Sequence, residues 1–105
     1  MQRWILTLAL SAATTVVAAQ PDAARQAVLL HLLQQDCGSC HGLTMRGGLG
    51  PALLPHTLAG KPKDFLVRTI IDGRPGTAMP PWRPFLNEQE AAWLVDRLMQ
   101  GEGGL

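Results

Sequence analysis

Apolar positions along this chain fall into separate groups, set apart by stretches rich in glycine and proline. The first group is a near-continuous run from Trp4 to Leu10. The next, Val28, Leu29, Leu32 and Leu33, repeats at helical spacing and predicts an amphipathic helix over 21–35 with Pro21 at its start. Phe65, Leu66 and Ile70 predict a middle helix over 61–71, stopped by Asp72-Gly73. The closing helix is the best marked. Asn87 and Glu90 have the spacing of a capping box, Leu86, Ala91, Trp93, Leu94, Val95 and Leu98 supply apolar faces, and Gly101 ends it. No alternating strand pattern of useful length appears. The chain therefore reads as all-α, with three main helices, connecting loops and one small core in which Trp93 packs against the first helix.

The N-terminal run changes the domain picture. Arg3, the apolar stretch Trp4–Leu10 and small residues closing in Val17-Ala18-Ala19 have the form of a secretory signal peptide over 1–19, with cleavage expected after Ala19. Ser11, Thr14 and Thr15 interrupt the run, which is short for a membrane span, so no stable membrane anchor is expected. Residues 20–105 then form one exported domain, near the size at which a core needs a covalent or cofactor staple. The periplasm is the expected compartment.

Charge narrows the partners. The chain carries 9 Lys and Arg against 8 Asp and Glu, a balance that together with the lack of a recognisable module speaks against nucleic-acid binding. The charges are nevertheless polarised. Between His41 and Phe85, Arg46, Lys61, Lys63, Arg68, Arg74 and Arg83 outnumber Asp64 and Asp72. Elsewhere in 20–105, Arg25 and Arg97 face Asp22, Asp36, Glu88, Glu90, Asp96 and Glu102. Such a pattern is either an ordinary solvated surface or a basic ring that steers docking to an acidic patch.

The chemistry concentrates at Cys37-Gly38-Ser39-Cys40-His41, which holds both cysteines of the chain. Cysteine, two spacers, cysteine, histidine is the order of a c-type haem attachment site. On one helical turn the Cys37 and Cys40 thiols share a face with His41. Both can bond the vinyl groups along one porphyrin edge while the imidazole turns under the iron. Thioether formation uses both thiols, so an exported protein with this motif need not form a disulfide. A single covalent haem would also supply apolar mass that so small a core lacks. Structural zinc needs four ligands, and beyond the motif the histidines are His31 and His56. A thioredoxin-like dithiol needs a βαβ setting that the helical flanks do not offer.

An iron-bound histidine needs an acceptor for its other ring nitrogen, and spacing points to the carbonyl of Pro51. The intervening glycine-rich loop does not fit the dinucleotide fingerprint. For the iron's far side, Met79 sits at the centre of a proline-stiffened loop, Arg74 to Trp82, and methionine opposite histidine raises the reduction potential. His56, in a loop, is the rival donor. Met45 is tied to the proximal side, Met99 belongs to the closing helix, Met1 leaves with the signal peptide, and His31 reads as a surface residue of the first helix. With both axial positions filled by protein, the iron has no open site, which argues for one-electron transfer rather than an enzymatic role.

The motif at the end of a first helix, Gly50-Pro51 after it, a middle helix, Met79-Pro80 and a closing amphipathic helix together resemble a class I cytochrome c. Within that class, CGSCHGLTMRGGLGP and DGRPGTAMPPW resemble the small NirC-type periplasmic cytochromes of denitrifying bacteria. The resemblance implies an all-α fold around one haem c, thioethers at Cys37 and Cys40, and axial ligation by His41 and Met79. It also implies an electron carrier whose partner is a cytochrome cd-type nitrite reductase or an enzyme maturing that reductase's d-type haem; separately, a monomer is expected. A ligand-binding or weakly peroxidatic haem protein and an assembly accessory protein are the alternatives. One departure is that Arg97 stands about where class I cytochromes carry an aromatic residue, with Trp93 one turn earlier.

Overall fold

A computed structural model describes residues 1–2, 4–14 and 20–102; the expected cleavage point after Ala19 lies outside the described residues, as do the last residues of the tail. Helix α1 spans Ala23–Leu32, and its axis continues through a π-helical turn, Leu33–Cys37, into the short helix α2, Gly38–His41. The remaining helices are α3 (Pro55–Leu58), α4 (Lys63–Asp72) and α5 (Glu88–Met99). Among the described residues there is no strand, and no helix is long and apolar enough to cross a membrane.

The helix boundaries follow local chemistry. The first helix starts two residues later than the proline signal suggests, because Asp22 is the N-cap and its carboxylate accepts the Arg25 N–H at 2.8 Å. The helical segment also runs beyond the expected end at 35 to His41, so the haem motif closes it, on a helical turn at the end of the first helix as its spacing predicts. The middle helix likewise begins at Lys63, behind Pro62. On α5 the capping box forms as expected: Asn87 Oδ1 accepts the Glu90 N–H at 2.8 Å, and Glu90 Oε1 accepts the Asn87 N–H at 3.1 Å.

Helix α5 is the centre of the core and packs against both α4 and α1. Ala91, Trp93, Leu94, Val95 and Leu98 are buried on it, joined by Leu29 and Leu33 from the first helical segment, Ile71 from α4, and Leu58, Leu86 and Met45. Not every apolar residue of the predicted stripes goes inside: Val28 and Phe65 remain about half exposed, at 52% and 51%. Ion pairs tie α5 to each neighbour, Arg25 with Glu90 towards α1 and Lys63 with Asp96, at 2.8 Å, towards α4. The Arg97 departure is accommodated locally. Its guanidinium carbon sits 5.3 Å from the centre of the Trp93 ring, and its Nη1 pairs with Glu102 at 2.8 Å.

Candidate haem-binding site

A helix leaves its last carbonyls without partners, and the glycine-rich loop after His41 supplies them. Gly47 donates to the His41 carbonyl at 2.8 Å and Gly50 to that of Cys40 at 2.9 Å. Met45 anchors the loop from inside, 1% exposed, with its carbonyl accepting the Leu53 N–H at 2.9 Å. Met45 adopts a φ of 58°, uncommon for a side chain of its size, so its burial holds a strained turn in place.

This return brings Gly50-Pro51 onto the imidazole. His41 Nδ1 lies 2.7 Å from the Pro51 carbonyl oxygen, joining the two residues that spacing singles out. A Cβ on Gly50 would stand 2.7 to 3.2 Å from three atoms of the His41 ring, so only glycine lets the loop approach so closely. With Nδ1 donating to a carbonyl, the Nε2 lone pair is the one left to bind a metal.

The two thiols are inequivalent. Cys37 is half-buried, Cys40 is exposed, and they are not joined to one another. Burial, reinforced by the neighbouring Asp36 carboxylate, pushes the Cys37 thiol up to about 11. A redox-active cysteine pair needs the opposite, a lowered thiol. Nor do three His, Cys, Asp or Glu side chains converge as a metal cage among the described residues. Free, partly exposed thiols one turn apart, with a tautomer-fixed imidazole beside them, fit covalent attachment of a haem.

Met79 is held by a separate element. The chain leaving α4 folds back over that helix's end: Trp82 donates to the Ile70 carbonyl at 3.0 Å and Arg83 to that of Ile71 at 3.1 Å. Within the loop, Arg74 donates to the Met79 carbonyl at 3.1 Å, and Thr77 Oγ1 bonds both the Arg74 carbonyl, at 2.6 Å, and the Met79 N–H, at 3.3 Å. The Arg83–Asp72 ion pair fastens the same return. Met79 is partly buried, whereas His56 is exposed and, contrary to the loop expected there, lies in α3. His31 is exposed on α1. Two contributions go beyond the sequence reading: Met45, tied there to the proximal side by its place after His41 but with no spacing signal for its burial, and Gly73, which reads only as a helix stop.

The profile of the family described as cytochrome C oxidase, cbb3-type, subunit III, matches residues 24–96. Over 82 residues the chain is 65% identical to cytochrome c55X of Pseudomonas aeruginosa, an alignment covering 78% of this chain and 69% of that protein. Among solved structures, the c-type cytochrome NirC superposes with a TM-score of 0.79 at 61% identity, covering 81% of this chain and 100% of NirC. The dihydro-heme d1 dehydrogenase NirN in complex with DHE superposes with a TM-score of 0.62 at 37% identity, covering 67% of this chain and 15% of NirN.

Proposed function

Because the chain belongs to the c-type cytochromes, in the family of the cbb3-type oxidase subunit III, with haem c as its covalent cofactor, we propose that it is an exported one-electron carrier of denitrification. In this reading Cys37 and Cys40 carry the thioethers and His41 and Met79 are the axial ligands. The observation that carries it is the His41 Nδ1 to Pro51 bond, 2.7 Å long, standing directly behind two free thiols.

The residues divide the work. His41 donates its Nδ1 proton to Pro51, which fixes the tautomer and the ring plane and makes Nε2 the stronger donor. Thr77, Pro80 and Pro81 restrict the loop that presents the Met79 sulfur, so little ordering is left to do when it ligates. Held by these residues, haem c would supply reversible exchange of one electron, and a methionine donor paired with a histidine would raise its potential. His41 and Met79 together would occupy both of the donor positions the protein can fill, which would leave the group suited to exchanging an electron and not to binding a substrate.

Charge favours an acidic partner. Arg46, in the loop that caps His41, and Arg74, in the loop that carries Met79, are exposed and form no ion pair among the described residues, whereas Lys63 and Arg83 are neutralised by Asp96 and Asp72. Two free guanidiniums beside the proposed ligand loops suit docking to carboxylates. The likeness to NirC, and to a small part of a dihydro-heme d1 dehydrogenase, supports a nitrite reductase or an enzyme of d-type haem maturation as that partner. The apolar Trp4–Leu10 run and the Ala18-Ala19 ending support export to the periplasm.

The test is spectroscopic. Ferric protein should show the near-infrared band of methionine-ligated haem; Met79→Ala should abolish it and His56→Ala should leave it. The reverse pattern would move the ligand to His56. Prompt binding of carbon monoxide to the reduced native protein would instead make it a ligand-binding haem protein.

A further inference from the structure

Cys40 stands seven residues beyond Leu33, close to two turns of an α-helix, so an unbroken helix would place it on the stripe that Leu29 and Leu33 bury in the core. His41 would then be turned about 80° away from that stripe, at 3.6 residues per turn. The protein has the opposite arrangement. Leu29 and Leu33 are 0% and 1% exposed, Cys40 is exposed, and His41 is half-buried with its ring held by Pro51.

The backbone between Leu33 and the motif accounts for the difference. Helix α1 ends regularly, with the Leu33 N–H reaching the carbonyls of Leu29 and Leu30. Over Leu33–Cys37 the ladder widens, and the Gly38 N–H reaches back five residues, to the Leu33 carbonyl, instead of four. Ordinary helix resumes at Gly38 and runs to His41. The wider turn takes up about one residue more than an α-helical turn for the same rotation, so the chain beyond it lags by about 100°. That lag brings His41 nearly into line with Leu33 and carries Cys40 off the stripe, while Cys37 ends half-buried beside the core.

We infer that the π-helical turn is a register device, which absorbs one surplus residue and so aims His41, rather than Cys40, along the buried face, with both thiols to one side of it. The inference rests on the reading of His41 and Met79 as axial ligands, and adds a positioning element that lies outside the haem motif itself. Gln35 is the residue to regard as surplus. It is exposed and its side chain makes no hydrogen bond among the described residues, whereas Gln34 is half-buried and the Asp36 carbonyl accepts the Ser39 hydroxyl at 2.7 Å.

Three holoprotein variants test this against the native protein: one lacking Gln35, one with an alanine inserted between Gln34 and Gln35, and Gln35→Ala. The readouts are the near-infrared methionine band of ferric protein per haem, with haem counted as pyridine haemochrome, and helical circular dichroism. Without Gln35 a regular α-helix reaches the motif in the native phase, so the fold and the band persist. The inserted alanine is a second surplus residue that one widened turn does not absorb; His41 rotates by about 100° and the band is lost. Gln35→Ala keeps the band, because length and not the side chain sets the register. Loss of the band or of the fold in the deletion variant overturns the register device, as does a native band in the insertion variant or a lost band in Gln35→Ala. In each of these cases the native protein still shows the band and the ligand assignment stands. A native protein without the band overturns the Met79 assignment and this inference with it.

Discussion

Gly73 and Met79 touch through their main chains: a Cβ built on Gly73 would stand 2.7 Å from the Met79 carbonyl oxygen, and equally close to Pro80 and Pro81. Gly73 also has a φ of 66°, which a side chain resists by roughly 1–2 kcal/mol. The glycine that stops α4 is thus the seat of the loop carrying the proposed distal ligand. Gly73→Ala is expected to keep its covalent haem, since the thioether segment is remote in sequence, but to lose most of the near-infrared methionine band. A pyridine haemochrome assay beside the near-infrared spectrum separates the two effects. An unchanged band would show that the loop does not depend on this contact.

How far the sequence could be read depends on what each feature needs. The capping box of α5 and the order of the haem motif are local, so Asn87, Glu90, Cys37, Cys40 and His41 carry their own signal. The Pro51 carbonyl is legible from spacing, because a loop of that length after a helix end has few ways to return. The seat at Gly73 is not, since its neighbours come from a turn that becomes visible only when Trp82 and Arg83 bond back to α4. Partition of apolar residues is similarly a tertiary matter. Val28 shares the apolar pattern of Leu29 and Leu33 yet is left at the surface, because α5 reaches only one side of α1.

That partition has a measurable consequence. Leu29 and Leu94 are 0% and 1% exposed, so truncating either to alanine is expected to cost about 2–5 kcal/mol, the range for deleting a buried leucine side chain. Val28→Ala should fall within about 0.5 kcal/mol of the native protein, as surface changes do. Denaturant unfolding of the holoprotein, followed by helical circular dichroism, ranks the three. Equal losses for Val28 and Leu29 would mean that Val28 is covered in solution.

Arg46 and Arg74 bear on the partner. If they guide docking, electron exchange with a carboxylate-rich redox protein should slow as ionic strength rises, because screening shortens the reach of the attraction. Reversing one charge with Arg74→Glu should slow association further and flatten the salt dependence, leaving the optical spectrum unchanged. Stopped-flow mixing at several salt concentrations tests this. A rate indifferent to salt in the native protein would assign both residues to ordinary surface.

The Arg25–Glu90 pair joins the starts of α1 and α5, and its response to pH has a fixed sign. Hydrogen bonding to Arg25 lowers the Glu90 carboxyl below its ordinary value; burial opposes this, and the Asn87 N–H assists the lowering. A group whose folded value is depressed stabilises the protein above its unfolded value and ceases to do so as the pH falls through the folded one. The pair should therefore contribute fully at neutral pH and fade in acid, below about pH 4, where free carboxylates take up protons. Arg25→Ala is expected to melt lower than the native protein at pH 7, with the two curves converging as Glu90 is protonated in both. Glu90→Gln should remove the pH-dependent part of the difference and give the same convergence from the other partner. Because Arg25 also donates to the Phe85 carbonyl at 3.1 Å, a residual pH-independent gap belongs to that bond. Melting curves that stay parallel from neutral to acid pH would show that Glu90 draws no net stabilisation from Arg25.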